Sequence, residues 1–303
     1  MAAADLSPDT LKRFQPSKPF FIGIDSDGCV FDTMELKWKE CFIPNVVKHF
    51  GLQSISKYAR EVTEFVNLYS KWRGINRFPA LVRCFDLLRE RPEVRKRGVE
   101  IPDLAPLERW IEDESKLGNP ALRSKVEQTG DPTLGMVLEW SLAVNAAIAD
   151  MVHGVAPFPG VREFLVQAGR KADLAVVSQT PGEALAREWQ EHDLDRLVSL
   201  ICGQELGTKT DHIRLASGGK YEAGRVLMIG DAPGDRKAAD SNGALFFPVN
   251  PGDEDASWDR LLNEGLPKFF EGSFAGDYQK QLIGTFEALL PETPSWQRAS
   301  HGA

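Results

Sequence analysis

Residues 20–33 read FFIGIDSDGCVFDT, and this stretch decides the fold class. Its first five residues are four apolar side chains and a glycine in fourth place, a pattern typical of a short strand that is buried on both faces. Residues 25–28, DSDG, follow at once and indicate a loop. We therefore predict a buried strand whose carboxyl end carries two acidic side chains.

The rest of the chain indicates which kind of sheet this strand joins. As far as about His153, apolar residues recur at helical spacing, with no second convincing strand. After the segment PFPGV, residues 157–161, short apolar runs alternate with helical ones. The runs predicted as strands are Leu174–Val177, Leu197–Cys202, Val226–Ile229 and Leu245–Val249. This order predicts an α/β fold, with a Rossmann-like parallel sheet core and an inserted all-helical cap domain.

The long helical insertion sets the domain boundaries. We assign residues 19–32 and 158–250 to the α/β core, and residues 33–157 to the helical cap. The tail, residues 251–303, is predicted to form a C-terminal helical extension that packs on the core. Open α/β sheets bind ligands at the carboxyl ends of their strands. A cap inserted directly after the first strand is therefore a candidate lid over the site.

Composition and charge exclude several classes of function. The 303 residues carry 36 Lys and Arg against 44 Asp and Glu, and the net charge of −8 disfavours binding to nucleic acid or to an anionic membrane surface. The four cysteines are scattered, without a CxxC pair, and indicate reduced thiols. We find no secretory signal and no apolar run long enough to cross a bilayer. We therefore expect a cytoplasmic protein that binds neither nucleic acid nor membrane.

Pairs of acidic residues follow two of the predicted strands. Asp25 and Asp27 follow the first strand, and in extended backbone their side chains project to the same side. Asp231 and Asp235 follow Val226–Ile229. Turn formation would account for DSDG, and helix capping for Asp235. Two carboxylates about 4 Å apart repel each other by about 4 kcal/mol, so two acidic pairs at strand ends favour a site for a hard cation.

Two further residues follow the remaining strands. Ser178 follows Leu174–Val177, where its hydroxyl could hold a phosphate oxygen, and Lys209 follows Leu197–Cys202. In this order, the four segments resemble the motifs of the haloacid dehalogenase (HAD) superfamily. The matching residues are Asp25, Asp27, Gly28, Asp32 and Thr33 in the first motif, Ser178 in the second, Lys209 in the third, and Gly230, Asp231 and Asp235 in the fourth. The insertion is similar in type to the helical cap of the β-phosphoglucomutase and phosphoglycolate phosphatase subgroup.

The resemblance implies an Mg²⁺-dependent phosphatase that acts on a small phosphorylated metabolite. Asp25 would attack phosphorus and form an aspartyl-phosphate, and Asp27 would act as general acid and then general base. Lys209 would neutralise charge, Ser178 would orient a phosphoryl oxygen, and Gln179 beside it would contact the substrate. The implied Mg²⁺ ligands are Asp25, Asp231 and Asp27 through its backbone carbonyl, with Asp235 in support.

Two other functions remain open. The sequence RGINR, residues 73–77, is similar to the basic loop in the caps of β-phosphoglucomutase-like sugar phosphomutases, where the last arginine grips a distal phosphate. We therefore predict substrate contacts from Arg73 and Arg77. Lys37 stands where those mutases carry a histidine, which favours a phosphatase. The other alternative is a non-catalytic binding protein with the HAD fold, although every motif position holds a chemically competent residue.

Overall fold

A single parallel sheet organises the part of the chain that carries the motifs. Its strands are β1 (Phe20–Ile24), β2 (Ala172–Val177), β3 (Leu200–Cys202), β4 (Val226–Gly230) and β5 (Leu245–Pro248). They run in the order β3-β2-β1-β4-β5. β1 is central, since Ile24 pairs with Val176 of β2 on one side and with Ile229 of β4 on the other. The predicted fold class, a parallel α/β sheet with an all-helical insertion, is confirmed.

The computed structural model describes residues 8–298, and this chain divides into two compact units. The sheet unit contains the described chain up to Thr33 and Gly154–Leu290. The helical unit contains Met34–His153 and the described chain from Pro291 onward. The sequence analysis placed the insertion at residues 33–157.

Helices cover both faces of the sheet, which explains why its strands read as continuous apolar runs. Along β1, Ile22 and Ile24 face one apolar cluster, while Phe21 faces the other. The strand can lie this close to its neighbours because Gly23 has no side chain. A Cβ there would lie 3.2 Å from Met228 Sδ and 3.2 Å from Val177 Cγ2.

The helices of the sheet unit follow the strands as the sequence predicts, with an additional short one at the start. The first cluster is covered by Val161–Ala168, Gly182–Glu191, Glu254–Arg260 and Leu266–Glu271, with a π-helical turn at Leu261–Gly265. The second cluster is covered by Lys209–Ser217, Pro233–Ser241 and Asp277–Leu289. The remaining elements are the helix Pro8–Arg13 and the 3₁₀ turns Asp195–Leu197 and Gln204–Leu206.

In its described residues, the helical unit contains helices and no strand. Its elements are Thr33–Leu36 (which starts in the sheet unit), the π-helix Lys37–Phe42, Ile43–His49, the 3₁₀ turn Gln53–Ile55, Ser56–Leu68, Arg77–Glu90, Pro92–Arg95, Ala105–Asp113, Asn119–Thr129, Pro132–Met151 and Ser295–Arg298. Aromatic rings fill its core, as where Phe78 meets Trp110 edge to face with ring centroids 5.1 Å apart. Core packing thus stabilises the insertion as a folding unit of its own.

One helix among the described residues, Pro132–Met151, is long and apolar enough by length and composition to cross a membrane. The sequence analysis had found no such run. The helix buries Leu134, Val137 and Trp140 in the core of the helical unit. A core helix meets the same criterion of length and composition, and these buried residues show that the helix forms part of the core.

The tail divides between the two units, in contrast to the prediction. Up to Leu290 it packs on the sheet unit as expected: Phe286 lies against Phe246, and Gln279 accepts a hydrogen bond from the edge strand at Phe246 N. Its described residues from Pro291 onward belong to the helical unit. There Trp296 meets Phe65 edge to face at 5.5 Å. The prediction had assigned all of residues 251–303 to an extension that packs on the core.

Candidate active site

Three buried carboxylates meet at the carboxyl edge of the sheet. Asp25 follows β1, Asp231 follows the neighbouring strand β4, and Asp235 is the third residue of the helix Pro233–Ser241. One carboxylate oxygen from each lies within 4.8 Å of the others, and all three side chains are buried. Because adjacent parallel strands end at the same edge, residues 206 positions apart in the sequence become neighbours.

Asp235 reaches this cluster because Gly230 leaves space for it. A Cβ on Gly230 would overlap the Asp235 carboxylate. Oδ2 of Asp235 accepts a hydrogen bond from Ala232 N at 3.0 Å, which caps the start of the helix. Its Oδ1 accepts one from Lys209 Nζ at 2.6 Å. The capping interpretation is thus correct for one oxygen, while the other belongs to the site.

Lys209 supplies the positive charge that balances part of this cluster. It is the first residue of the helix Lys209–Ser217, whose start is fixed by a capping box between Thr208 and Asp211. Its ammonium lies 2.6 Å from Asp25 Oδ2 and 2.6 Å from Asp235 Oδ1. Lys209 therefore lies beside Asp25, while its predicted role in catalysis stays a prediction.

Burial and mutual repulsion control the ionisation of these groups. Burial raises the pKa of Asp25 well above its usual range, and the charges of Asp235 and Asp231 add to this rise against the opposing effect of Lys209. Burial also raises the pKa of Asp235, although Lys209 lowers it. For Lys209, burial acts to lower the pKa, but the three carboxylates together outweigh it and the pKa rises. The ammonium therefore stays charged, while the raised pKa values of Asp25 and Asp235 reflect the cost of ionising these carboxyls together in a buried place.

Asp27 points to different partners. Its Oδ1 accepts a hydrogen bond from the Thr33 hydroxyl, and its Oδ2 accepts one from Thr180 Oγ1 at 2.8 Å. Its carboxylate is not part of the cluster formed by Asp25, Asp231 and Asp235. The side chains of Asp25 and Asp27 therefore have different hydrogen-bond partners, and their shared role in one site stays a prediction. A ligand role for the Asp27 backbone carbonyl stays a prediction.

The second motif lies on the strand beside β1. Ser178 follows β2 and is buried, and its amide donates to Cys202 O at 3.0 Å. Its hydroxyl oxygen accepts a hydrogen bond from Thr180 N at 3.1 Å. Gln179 donates through Nε2 to Gly207 O at 3.0 Å, two residues before Lys209. The second and third motifs are thereby joined, while substrate contact by Ser178 and Gln179 remains a prediction.

The two predicted cap arginines lie in the helical unit. Arg73 is buried, and its Nη1 donates to Leu68 O at 2.9 Å. Arg77 Nη1 donates to Asn145 Oδ1 at 2.7 Å and to Ser141 Oγ at 3.0 Å. Both arginines therefore have structural contacts inside the unit, and their predicted contact with substrate is a proposal beyond these contacts.

Sequence reasoning missed two kinds of contact. Thr180 was not assigned a role, although a hydroxyl two residues after Ser178 was a visible signal. Ser26, between the two acids of the first motif, bonds to Trp189 Nε1 and Glu188 Oε2 on the helix Gly182–Glu191. Nothing in the spacing of the sequence connects these positions, which are more than 160 residues apart.

No family model and no curated protein matches the chain. Solved structures of similar fold include one from Lactobacillus delbrueckii subsp. bulgaricus, described as a phosphoglycolate phosphatase. It is 16% identical, has a TM-score of 0.48, and the match covers 86% of this chain and 100% of that one.

Two further solved structures resemble the chain. CbbY from Rhodobacter sphaeroides, in complex with phosphate, is 15% identical with a TM-score of 0.42, over 76% of this chain and 85% of that one. A HAD-superfamily hydrolase of subfamily IA from Geobacter sulfurreducens is 16% identical with a TM-score of 0.38, over 78% and 89%.

Proposed function

We propose that the protein is an Mg²⁺-dependent phosphatase that hydrolyses a small phosphorylated metabolite through an aspartyl-phosphate on Asp25. One observation carries the proposal. The buried carboxylates of Asp25, Asp231 and Asp235 converge at the carboxyl edge of the sheet, with Lys209 bonded to two of them. Ligands bind at this edge in open α/β sheets.

The donor set of the cluster fits Mg²⁺. It consists of carboxylate oxygens, the ligands that a hard cation prefers, and contains no sulfur or imidazole. When ionised, three carboxylates beside one ammonium would carry an excess of negative charge in a buried place, which a divalent cation would compensate. Asp25, Asp231 and Asp235 would hold the ion, with the backbone carbonyl of Asp27. When bound, Mg²⁺ neutralises negative charge on the phosphoryl group.

In the first half-reaction, a carboxylate oxygen of Asp25 bonds to phosphorus as the bond from phosphorus to the ester oxygen breaks. Lys209, 2.6 Å from Asp25 Oδ2, reduces the repulsion between the anionic nucleophile and the anionic ester. Ser178 would orient one phosphoryl oxygen. Asp27 donates its proton to the departing alkoxide, so the alcohol leaves neutral.

In the second half-reaction, water attacks the phosphorus of the aspartyl-phosphate. Asp27, now a carboxylate, takes a proton from that water, and the bond between phosphorus and Asp25 breaks. Inorganic phosphate and the Asp25 carboxylate are regenerated, and Asp27 is protonated again. The hydroxyls of Thr180 and Thr33 can hold Asp27 in the correct orientation through both steps.

A sugar phosphomutase uses the same first step and differs in what accepts the phosphoryl group. Arg73, Arg77 and Gln179 would contact the non-reacting part of the substrate in either activity. Lys37, in the position where the mutases carry a histidine, favours transfer to water. The decisive product is therefore free phosphate.

The test is a phosphate-release screen across phosphorylated metabolites with Mg²⁺, run beside an assay for isomerised sugar phosphates. We expect phosphate release that stops in excess EDTA and in Asp25→Asn, while Asp25→Asn remains folded by circular dichroism. Isomerisation without net phosphate release would support the mutase. Substantial turnover by Asp25→Asn, or full activity without divalent metal, would refute the aspartyl-phosphate mechanism.

A further inference from the structure

We propose that Ser26, with Trp189 and Glu188, positions the nucleophile Asp25, an inference that rests on the proposed function. Ser26 is the residue between the two acids of the first motif, and it is fully buried. Its two side-chain partners lie on the helix Gly182–Glu191. None of the three is assigned a part in the chemistry above.

The Ser26 hydroxyl is bonded on both sides. Trp189 Nε1 donates to Ser26 Oγ at 3.0 Å, and Ser26 Oγ donates to Glu188 Oε2 at 3.0 Å. Trp189 is itself fully buried, so its indole N–H needs an acceptor inside the protein. A buried serine on a loop can satisfy its hydroxyl with nearby backbone. Here both partners come instead from one helix far away in the sequence.

The backbone of Ser26 connects these two side-chain hydrogen bonds to Asp25 and to the loop after β1. Its amide donates to Asp25 Oδ1 at 2.8 Å, which leaves Oδ2 of that carboxylate to meet Lys209 at 2.6 Å. Its carbonyl accepts hydrogen bonds from Val30 N at 2.9 Å and Phe31 N at 3.1 Å. A shift of Ser26 would therefore move the carboxylate and the loop together.

The loop that leads into this helix contacts the proposed acid/base residue, Asp27. Thr180, two residues before its first residue Gly182, donates to Asp27 Oδ2 at 2.8 Å. Two turns further on, Trp189 holds Ser26. The helix and the loop that precedes it thus contact the first motif at Ser26 and Asp27, on either side of the same peptide unit. This arrangement fixes the orientation of the two acids relative to each other, which a reaction with a nucleophile and a separate acid requires.

The test uses three variants and a control. Ser26→Ala removes both hydrogen bonds, and Trp189→Phe removes the indole donor while keeping an aromatic ring. We expect each to lower kcat by about 10–100-fold, as removal of partners that orient a ligand typically does, with little change in KM. Trp189→Phe added to Ser26→Ala should cause no further loss, because Trp189 acts through Ser26.

Trp258→Phe is the matched control. Trp258 is also fully buried in the sheet unit, and its Nε1 donates to Cys29 O at 2.8 Å, a different atom of the same loop. It should lose comparable thermal stability and keep kcat within about twofold. An equal loss of kcat in Trp258→Phe, or fully additive losses in the double variant, would show that these residues act through general stability and overturn the proposal.

A second readout separates this inference from the proposed function. Mg²⁺ affinity, measured by calorimetry without substrate, should fall about tenfold in Trp189→Phe, since Asp25 is one of the proposed ligands. Suppose that the wild type releases no phosphate from any ester, but that Trp189→Phe binds Mg²⁺ about tenfold more weakly than the wild type. The proposed function is then wrong and the positioning role stands. If the wild type is active and Trp189→Phe keeps the same kcat and Mg²⁺ affinity, the positioning role alone is overturned. A wild type that neither turns over nor binds Mg²⁺ would overturn both.

Discussion

Thr180 donates its hydroxyl hydrogen to Oδ2 of Asp27 at 2.8 Å, and this bond joins the loop after β2 to the loop after β1. Thr33 donates to the other oxygen of the same carboxylate. A hydroxyl group can rotate to accept as well as to donate. The Asp27 carboxyl therefore keeps its partners whether it is protonated or ionised, as a residue that alternates between acid and base requires.

Replacing Thr180 tests this relationship. Thr180→Val keeps the shape of the side chain and removes the hydroxyl, so we expect kcat to fall about 10–100-fold with an unactivated alkyl phosphate. Thr180→Ser should recover most of the rate. Steady-state kinetics on both variants provides the measurement.

Thr285→Val is a suitable control for the loss of a hydroxyl. Thr285 lies on the helix Asp277–Leu289 and donates only to a backbone oxygen, that of Gln281, at 3.1 Å. Its replacement should leave kcat unchanged. If Thr180→Val retained the full rate, Asp27 would not depend on this hydroxyl.

Gly230 and Gly234 give a matched pair around the fourth motif. Gly230→Ala places a methyl group where the Asp235 carboxylate lies, and we expect a loss of about 1–3 kcal/mol of stability together with loss of Mg²⁺ binding. A Cβ on Gly234 meets nothing within 4 Å, and the residue is helical. Gly234→Ala should therefore be neutral or slightly stabilising. Chemical denaturation of both variants measures their free energies of unfolding. Equal values would contradict the predicted overlap between a Cβ at position 230 and the Asp235 carboxylate.

Lys209→Met tests the charge balance of the site. It leaves three buried carboxylates without their ammonium, so in EDTA we expect a loss of about 3–5 kcal/mol of stability. Added Mg²⁺ should stabilise this variant more than the wild type, because the metal would be the remaining compensating cation. Lys237→Met, an exposed lysine on the next helix, is the control and should change little. A variant as stable as the wild type would show that the carboxylates are largely protonated.

His212 predicts a pH dependence of stability. Burial, together with the charge of Lys209, lowers the pKa of His212 from 6.5 to about 4. Between these values the unfolded chain binds more protons than the folded one, so stability is complete above about pH 6.5 and falls as the pH approaches 4. His212→Leu should show a shallower slope in this window. If the thermal unfolding temperatures of the wild type and of His212→Leu changed equally with pH, the prediction would be contradicted.

Arg77→Ala tests recognition by the helical unit. The described partners of the guanidinium are neutral, namely Ser141, Asn145 and the ring of Phe42, so its charge could serve an anion on the substrate. We expect a raised KM for a substrate with a second anionic group and little change for p-nitrophenyl phosphate. Equal losses on both substrates, with reduced thermal stability, would assign Arg77 to folding.

The sequence analysis could predict the sheet and the carboxylate cluster because both follow from local rules. Apolar runs mark buried strands, and parallel strands bring the residues that follow them to one edge. Asp25, Asp231 and Lys209 could therefore be placed near one another from their order along the chain. The positions of these three residues follow from the path of the backbone and need little information about side-chain packing.

The remaining contacts depend on geometry that spacing does not encode. Extended backbone would place Asp25 and Asp27 on one side of the chain, but it does not indicate that Asp25 meets Lys209 while Asp27 meets Thr180. The bonds of Trp189 to Ser26 depend on how a helix lies against a loop. The division of the tail at Pro291 depends on how Trp296 packs against Phe65 and Arg91.

The packing of Trp296 has a consequence for the order in which parts of the protein form during synthesis. The ring of Trp296 packs between Phe65 and the guanidinium of Arg91, which lies 4.4 Å from the ring centroid, so the helical unit is completed by a segment far from the rest of it in the sequence. At about 5–20 residues per second, ribosomes make the intervening chain in roughly 7–30 s. Throughout that interval the groove beside Arg91 lacks its tryptophan. The helical unit of a nascent chain therefore waits for the whole sheet to be translated before its last aromatic contact can close.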